Sequence, residues 1–221
     1  RDSVSLLVQL AQAPFIGILL LYAFYGMHLS QPTFLLVFIA LWFGTNNAAR
    51  EIVSERVIYE REHRCGLSPA AYLLSKIIVQ SVLLALQCIM LVIPVWAVLD
   101  FAFNPLLGIL LCWIVGIVGA CIGLCVSAFV RSQMTAIALV PLVLIPFILF
   151  GGLMKRYDEM RTTDRLIASL VPARWGYDAL VQLDRLGVPN DELSRLSTRA
   201  PFASSAPSPV TTDGRARARL W

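Results

Sequence analysis

An all-α polytopic membrane helix bundle is the fold class this sequence predicts, and three observations carry the prediction. The composition is apolar: hydrophobic residues make up 58% of the 221 and charged residues 14%, with a mean hydropathy of +0.74, where an average soluble domain carries about 25% charge. The apolar residues fall in long runs, and a hydrocarbon core about 30 Å thick needs roughly 20 of them in a helix. The charge is concentrated: between two of those runs, residues 46–69 carry both signs at helical spacing and close on Gly66-Leu67-Ser68-Pro69. Such a segment cannot lie in hydrocarbon and reads as a folded elbow between two membrane helices.

Five segments meet or approach the length of a crossing: residues 14–27, 34–49, 71–99, 106–130 and 134–153, the first two being the shortest. The connections at 28–33, 100–105 and 131–133 are too tight for anything but antiparallel neighbours. Orientation follows from the Lys and Arg of the short loops. Arg1, Arg50, Arg56, Arg61, Arg64, Lys76 and Arg131 fall on one side, while the loops near His28 and Asp100 hold none. That side is expected to be cytoplasmic, in a cell membrane crossed several times. The tail from Lys155 onward then lies outside, since long segments translocate largely regardless of charge.

Within the elbow, Glu51, Glu55 and Glu62 alternate with Arg50, Arg56, Arg61 and Arg64 at three- and four-residue spacings. Each such pair stiffens a helix by about 0.2–0.5 kcal/mol. Gly66 is placed to end this helix through a left-handed cap, with Ser68 capping the next helix and Pro69 in its first turn. A plain solvated helix beside the membrane is the alternative reading of the same pattern.

Further along, Gly116, Gly119 and Gly123 with Ala120 and Ser127 line one side of the fourth segment, and small residues let membrane helices approach closely. Packing inside the domain is the simpler reading, a seam between subunits the other. Gln80 and Gln87, seven residues apart, share a face of the third segment and are expected to bond between helices. Pro141 and Pro146 should bend the fifth. Cys121 and Cys125 lie one turn apart, but no His or acid accompanies them, so no metal site is expected. His28 and His63 fall on opposite sides by this topology. The net charge of +4 does not point to nucleic acid, because the basic residues form no stripe interleaved with aromatics.

No G-x-x-x-x-G-K-[ST] loop is present, and neither lysine, Lys76 or Lys155, lies in a phosphate cradle. ATP chemistry, if any, is expected elsewhere. Arg1 is not a Met, and residues 200–210 with Arg215, Arg217 and Arg219 read as linker. The chain reads as a piece of something longer.

Three separated motifs carry a resemblance. The elbow from Ala49 to Glu62, followed by Gly66-Leu67-Ser68-Pro69 and Tyr72 to Lys76, resembles the end of the second membrane helix, the coupling region and the start of the third in ABC exporters of the G subfamily, the White family. Phe150-Gly151-Gly152-Leu153 and Val171-Pro172-Ala173-Arg174-Trp175-Gly176-Tyr177 resemble that family's exit from the fifth helix and the segment that packs back outside the membrane. The match covers roughly residues 1–183 and is of the bacterial type.

The resemblance implies a domain order and a set of sites. Residues 1–153 would form the five-helix membrane domain with its coupling elbow at 50–70; 154–183 an external packing segment; 184–221 a polar, disordered linker, with a sixth membrane helix after Trp221. Glu51, Glu55, Arg56, Tyr59, Arg61 and Glu62 would couple the domain to an ATPase. Phe43, Thr45, Asn46 and Ile145 would line the substrate path, Phe43 as an aromatic clamp facing a central cavity, and Leu153 with Met154 would form the outer gate. No cofactor is expected on this chain, with ATP and Mg on a nucleotide-binding domain, fused upstream or separate. The other partners implied are a second membrane domain, in a homodimer, and membrane lipid.

The function this implies is outward movement of a lipidic or amphipathic molecule, with no catalytic residue on this chain. An ABC membrane subunit that exports polysaccharide or drug with a separate ATPase chain is one rival. A membrane-embedded transferase acting on lipid-linked substrates is another, but Asp100, Asp158, Glu159 and Asp164 show no paired geometry or motif.

Overall fold

The computed structural model describes residues 3–25, 30–66, 68–99, 101–151 and 168–187. Its helices are α1 (Ser3–Phe24), α2 (Ser30–Ala48), α3 (Glu51–Arg64), α4 (Pro69–Val98), α5 (Pro105–Phe129), α6 (Gln133–Phe150) and α7 (Pro172–Gly187). Five of them, α1, α2, α4, α5 and α6, are long and apolar enough to cross a membrane. Among the described residues there is no strand, which fits the all-α bundle read from composition.

Three of the membrane helices begin on a capping side chain. The oxygens of Ser68, Asn104 and Ser132 accept from the backbone N–H groups of Ala71, Leu106 and Thr135 at the starts of α4, α5 and α6. Each satisfies a donor that the helix itself leaves unpaired. Pro69 and Pro105 follow two of these caps, where the missing N–H costs nothing. Gly66 ends the elbow region at φ 100°, a left-handed conformation that a side chain would strain.

The first helix differs from expectation. Instead of starting at residue 14, α1 begins at Ser3 and carries Pro14 inside it, as α6 carries Pro141 and Pro146. Gln9 and Gln12 interrupt the apolar run and hide its true start. Beside this stretch Gln87 Nε2 donates to the backbone carbonyl of Gln9 at 2.7 Å, and Asn47 Nδ2 donates to Gln87 Oε1 at 2.8 Å. This buried junction ties α1, α2 and α4 together. Replacing Gln87 by Leu removes both bonds, and at about 0.6 kcal/mol each, up to about 1.7, a lowered unfolding midpoint in detergent corresponding to about 1–2 kcal/mol is expected. An unchanged midpoint would show that the junction contributes nothing.

The centre of the bundle is α2 against α5. These helices run in the same direction, Ala40 and Leu41 meeting Gly116 and Gly119 while Thr45, Ala48 and Ala49 meet Gly123. A Cβ on Gly44, Gly119 or Gly123 would run into backbone of the facing helix, so the contact is close because these residues have no side chain. The glycine face of α5 is thus used inside the chain.

At the far end from the elbow, α7 packs on the bundle. Gly176 fits between Val37 of α2 and Val115 of α5, and the ring of Tyr177 meets Phe34 edge-on at 5.7 Å. Asp184 Oδ1 accepts from Ala102 N–H at 2.9 Å. Burial pushes the Asp178 carboxyl up from the usual range, against the pull of the Arg174 guanidinium 3.6 Å away. That pair is a weak tie, and apolar packing of Ala173, Gly176 and Leu180 holds the helix.

Candidate functional site

The elbow helix α3 leaves α2 through a two-residue break at Ala49 and Arg50 and reaches α4 through Cys65 to Ser68. Its first turn lacks a cap of its own, since Arg50 makes no side-chain cap bond. The cap comes from elsewhere in the fold. Ser127 of α5, fully buried, accepts from Val53 N–H at 3.0 Å, which satisfies one of the orphan donors at the start of α3.

Two carboxylates of α3, Glu51 and Glu55, turn toward α4 and not along their own helix. Lys76 of α4 sits 2.7 Å from Glu55 Oε1 and 3.2 Å from Glu51 Oε2. The Tyr72 hydroxyl donates to the other oxygen of Glu55 at 3.4 Å, and the Tyr72 and Tyr59 rings meet at 4.7 Å. Tyr59 in turn stacks on His63 at 5.6 Å. One ammonium therefore holds two carboxylates a turn apart, beside an aromatic contact.

This differs from the expected ladder of ion pairs within α3. Among the described residues, the ion pair inside that helix is Arg56 with Glu60 at 3.4 Å, both largely exposed. Such a pair contributes about 0–1 kcal/mol. Lys76 is only 16% exposed, and charges shielded from water attract more strongly. Glu51 and Glu55 share one face of the helix by their four-residue spacing, so a cation on the neighbouring helix serves both better than solvated arginines do.

Arg56, Arg61 and Glu62 are exposed; Glu62, seven residues from Glu55, continues the same helical face beyond Tyr59. Arg61 and Glu62 border a shallow notch with Ile58, Cys65 and Gly66. The elbow thus has a paired first part, with Glu51, Glu55 and Tyr59 in contact with α4, and an exposed last turn that carries Arg61 and Glu62.

The residues assigned by resemblance to the substrate path are not gathered in one open space. Phe43 is 1% exposed and belongs to the buried core of the chain; Thr45 is also buried, its hydroxyl donating to the Leu41 carbonyl at 3.0 Å. Packing within the chain holds the Phe43 ring, where a face toward a central cavity was expected. Asn46 is half-buried and Ile145 exposed. Leu153 and Met154 lie outside the described residues.

Sequence reasoning passed over Lys76, Tyr72 and Ser127 as parts of the elbow. A signal was present for the first two: a lone lysine two turns into an apolar helix needs a carboxylate partner, and Tyr72 lies one turn before it. Nothing local marks Ser127, because its role depends on where α5 ends relative to α3.

Residues 1–183 match the family model of the ABC-2 type transporter. The chain belongs to that family and is the membrane domain of a transporter, a multi-pass membrane protein. It is also similar to the ABC transporter ATP-binding/permease protein Rv1747 of Mycobacterium tuberculosis (strain H37Rv), at 26% identity over 148 residues. The matched region is 63% of this chain and 17% of that protein, so the chain spans less than a fifth of the relative's length.

Proposed function

We propose that this domain moves a lipidic or amphipathic molecule outward across the membrane, as one of two membrane domains in a dimer, using ATP hydrolysed by a nucleotide-binding domain fused upstream. The observation that carries the reading is the anchored elbow: α3 exposes Arg56, Arg61 and Glu62 to the surroundings while Glu51 and Glu55, in its first two turns, are ion-paired to α4. A lever needs this combination, one part accessible to be pushed and another fixed to what must move. Membership of a transporter family supports it, and so does a relative described as both ATP-binding protein and permease. The absence of a phosphate-binding loop from this sequence agrees with ATP being bound by another domain. In this reading the elbow is cytoplasmic, α7 lies at the outer surface, and cargo passes Asn46 and Ile145, with Leu153 and Met154 forming the outer gate and Phe43 and Thr45 backing the path from within the chain.

The test is ATP-driven movement of a fluorescent phospholipid by the full transporter in liposomes, with ATP hydrolysis followed in parallel. Lipid transport with lipid-stimulated hydrolysis is expected; stimulation by an oligosaccharide instead would overturn the cargo assignment. Glu62→Ala removes a charge from the exposed last turn of the elbow without touching the Lys76 contacts. It is expected to lower stimulated hydrolysis several-fold while nucleotide binding, read by a fluorescent ATP analogue, stays intact. Equal stimulated rates in the two proteins would sink the idea that this end of the elbow receives the push.

A further inference from the structure

We propose that Lys76 is the positioning residue through which displacement of the elbow enters the membrane, delivered to α4 by its paired contact with Glu51 and Glu55. This deepens the exporter reading above and rests on it.

The covalent connection of α3 to α4 is poorly suited to transmit force. Toward α2 the backbone stays close to helical: Ala49 N–H donates to the Thr45 carbonyl, Ser54 N–H donates to the Arg50 carbonyl, and Arg50 keeps right-handed helical dihedrals. Toward α4 the chain passes through Gly66, at φ 100° and with open space where a Cβ would stand, and a turn absorbs rotation in its backbone dihedrals instead of passing it on. A push on α3 would reach α4 poorly through that turn unless side chains link the two helices.

The side-chain contacts between α3 and α4 centre on Lys76 and Tyr72, whose ring also meets Tyr59. Its ammonium reaches Glu55 at 2.7 Å and Glu51 at 3.2 Å, which fixes the first turn of α3 in two places and resists rotation about either. The Tyr72 hydroxyl meets the second oxygen of Glu55, so the carboxylate is held from two positions one turn apart on α4. Lys76 Nζ also lies 5.8 Å from the Tyr72 ring centroid. Arg56 and Glu60 pair with each other within α3.

From Lys76 the path inward is continuous. The buried residues of α4 begin one turn later at Gln80 and run through Leu84 to Gln87 and Cys88. Gln87 bonds Asn47 of α2 and the Gln9 carbonyl of α1. A shift of α4 along or about its axis therefore reaches both helices through packed and hydrogen-bonded groups. The backbone of α3 also packs on α5, where Ser127 accepts a hydrogen bond from Val53 N–H, so the side chains of Lys76 and Tyr72 are what extend that contact to α4.

The experiment uses the full transporter in nanodiscs with its native cysteines replaced. Spin labels go on Val82→Cys in α4 and Leu142→Cys in α6, both exposed positions. The distance between them is measured by pulsed electron resonance, without nucleotide and after trapping with ATP and vanadate. The unmodified sequence is expected to show a nucleotide-dependent shift, and Lys76→Gln to lose most of it while trapping the same amount of nucleotide. Lys76→Arg should keep the shift. The exchange Lys76→Glu with Glu55→Lys preserves one cation between two carboxylates and should restore it, which also covers the case in which Lys76→Gln fails to fold. If Lys76→Gln, folded and trapping nucleotide, shifts as the unmodified protein does, the Lys76 assignment is overturned while the exporter reading stands. A charge exchange that folds without recovering the shift overturns it equally. No shift in the unmodified transporter would overturn the exporter reading and this inference together.

Discussion

Replacing Gly119 by Leu is expected to prevent assembly of the membrane domain, with no monodisperse protein recovered after detergent extraction. The added Cβ would meet the backbone carbonyl of Leu41, and further carbons would need space that α2 occupies. Overpacking against movable side chains costs about 1–3 kcal/mol. Here the obstacle is main chain at the closest contact of the bundle, so a cost above about 3 kcal/mol is expected. Gly17→Ala makes the contrast. Its Cβ would stand 3.7 Å from Leu91 Cδ1, an ordinary contact, and since alanine is favoured over glycine inside a helix by about 0.5–1 kcal/mol, its unfolding midpoint should rise or stay level. Size-exclusion profiles and thermal unfolding of both variants decide the point; a well-folded Gly119→Leu protein would show that α2 and α5 are not held at this distance.

Phe43→Ala is expected to destabilise the domain by about 2 kcal/mol or more. The ring is enclosed by the core, and truncation leaves a cavity costing about 24 cal/mol per Å³. In a membrane the transfer part of the usual penalty largely vanishes, because lipid is as apolar as the interior. The lost packing remains. Ile145→Ala, at an exposed position, should change stability by no more than about 0.5 kcal/mol. Comparing transport per folded molecule separates the roles implied by resemblance. A Phe43 that only packs lowers the unfolding midpoint and leaves transport by the folded fraction unchanged; one that also meets cargo lowers both.

How much was legible in the sequence depends on the range over which each signal acts. The caps at Ser68, Asn104 and Ser132 involve side chains two or three residues from the donors they satisfy, so helix starts were found to within a few residues. The left-handed Gly66 follows from the same local logic. The start of α1 was not found, because Gln9 and Gln12 look like the edge of a span, and the bond that ties this part of α1 to the bundle, from Gln87 to the Gln9 backbone carbonyl, joins residues 78 apart. The elbow charges were read as ion-paired along their own helix, whereas the partner of Glu51 and Glu55 is Lys76 of α4. Periodicity shows which residues share a face and says nothing about what stands opposite.

Sequence alone determined the class of this protein: five apolar stretches of crossing length, a charged elbow between the second and third, and the motifs that resemble an ABC exporter. Those are properties of residues close together in the chain, where solvent preference and backbone hydrogen bonding dominate. Tertiary structure alone decided that Lys76 holds Glu51 and Glu55, that Ser127 caps α3 from α5, and that Phe43 lies inside the core. The physical reason is that lipid removes the hydrophobic drive between membrane helices. Their arrangement then rests on close backbone contact at glycines and on a few polar bonds between distant residues, and those partners become neighbours only once the helices have packed.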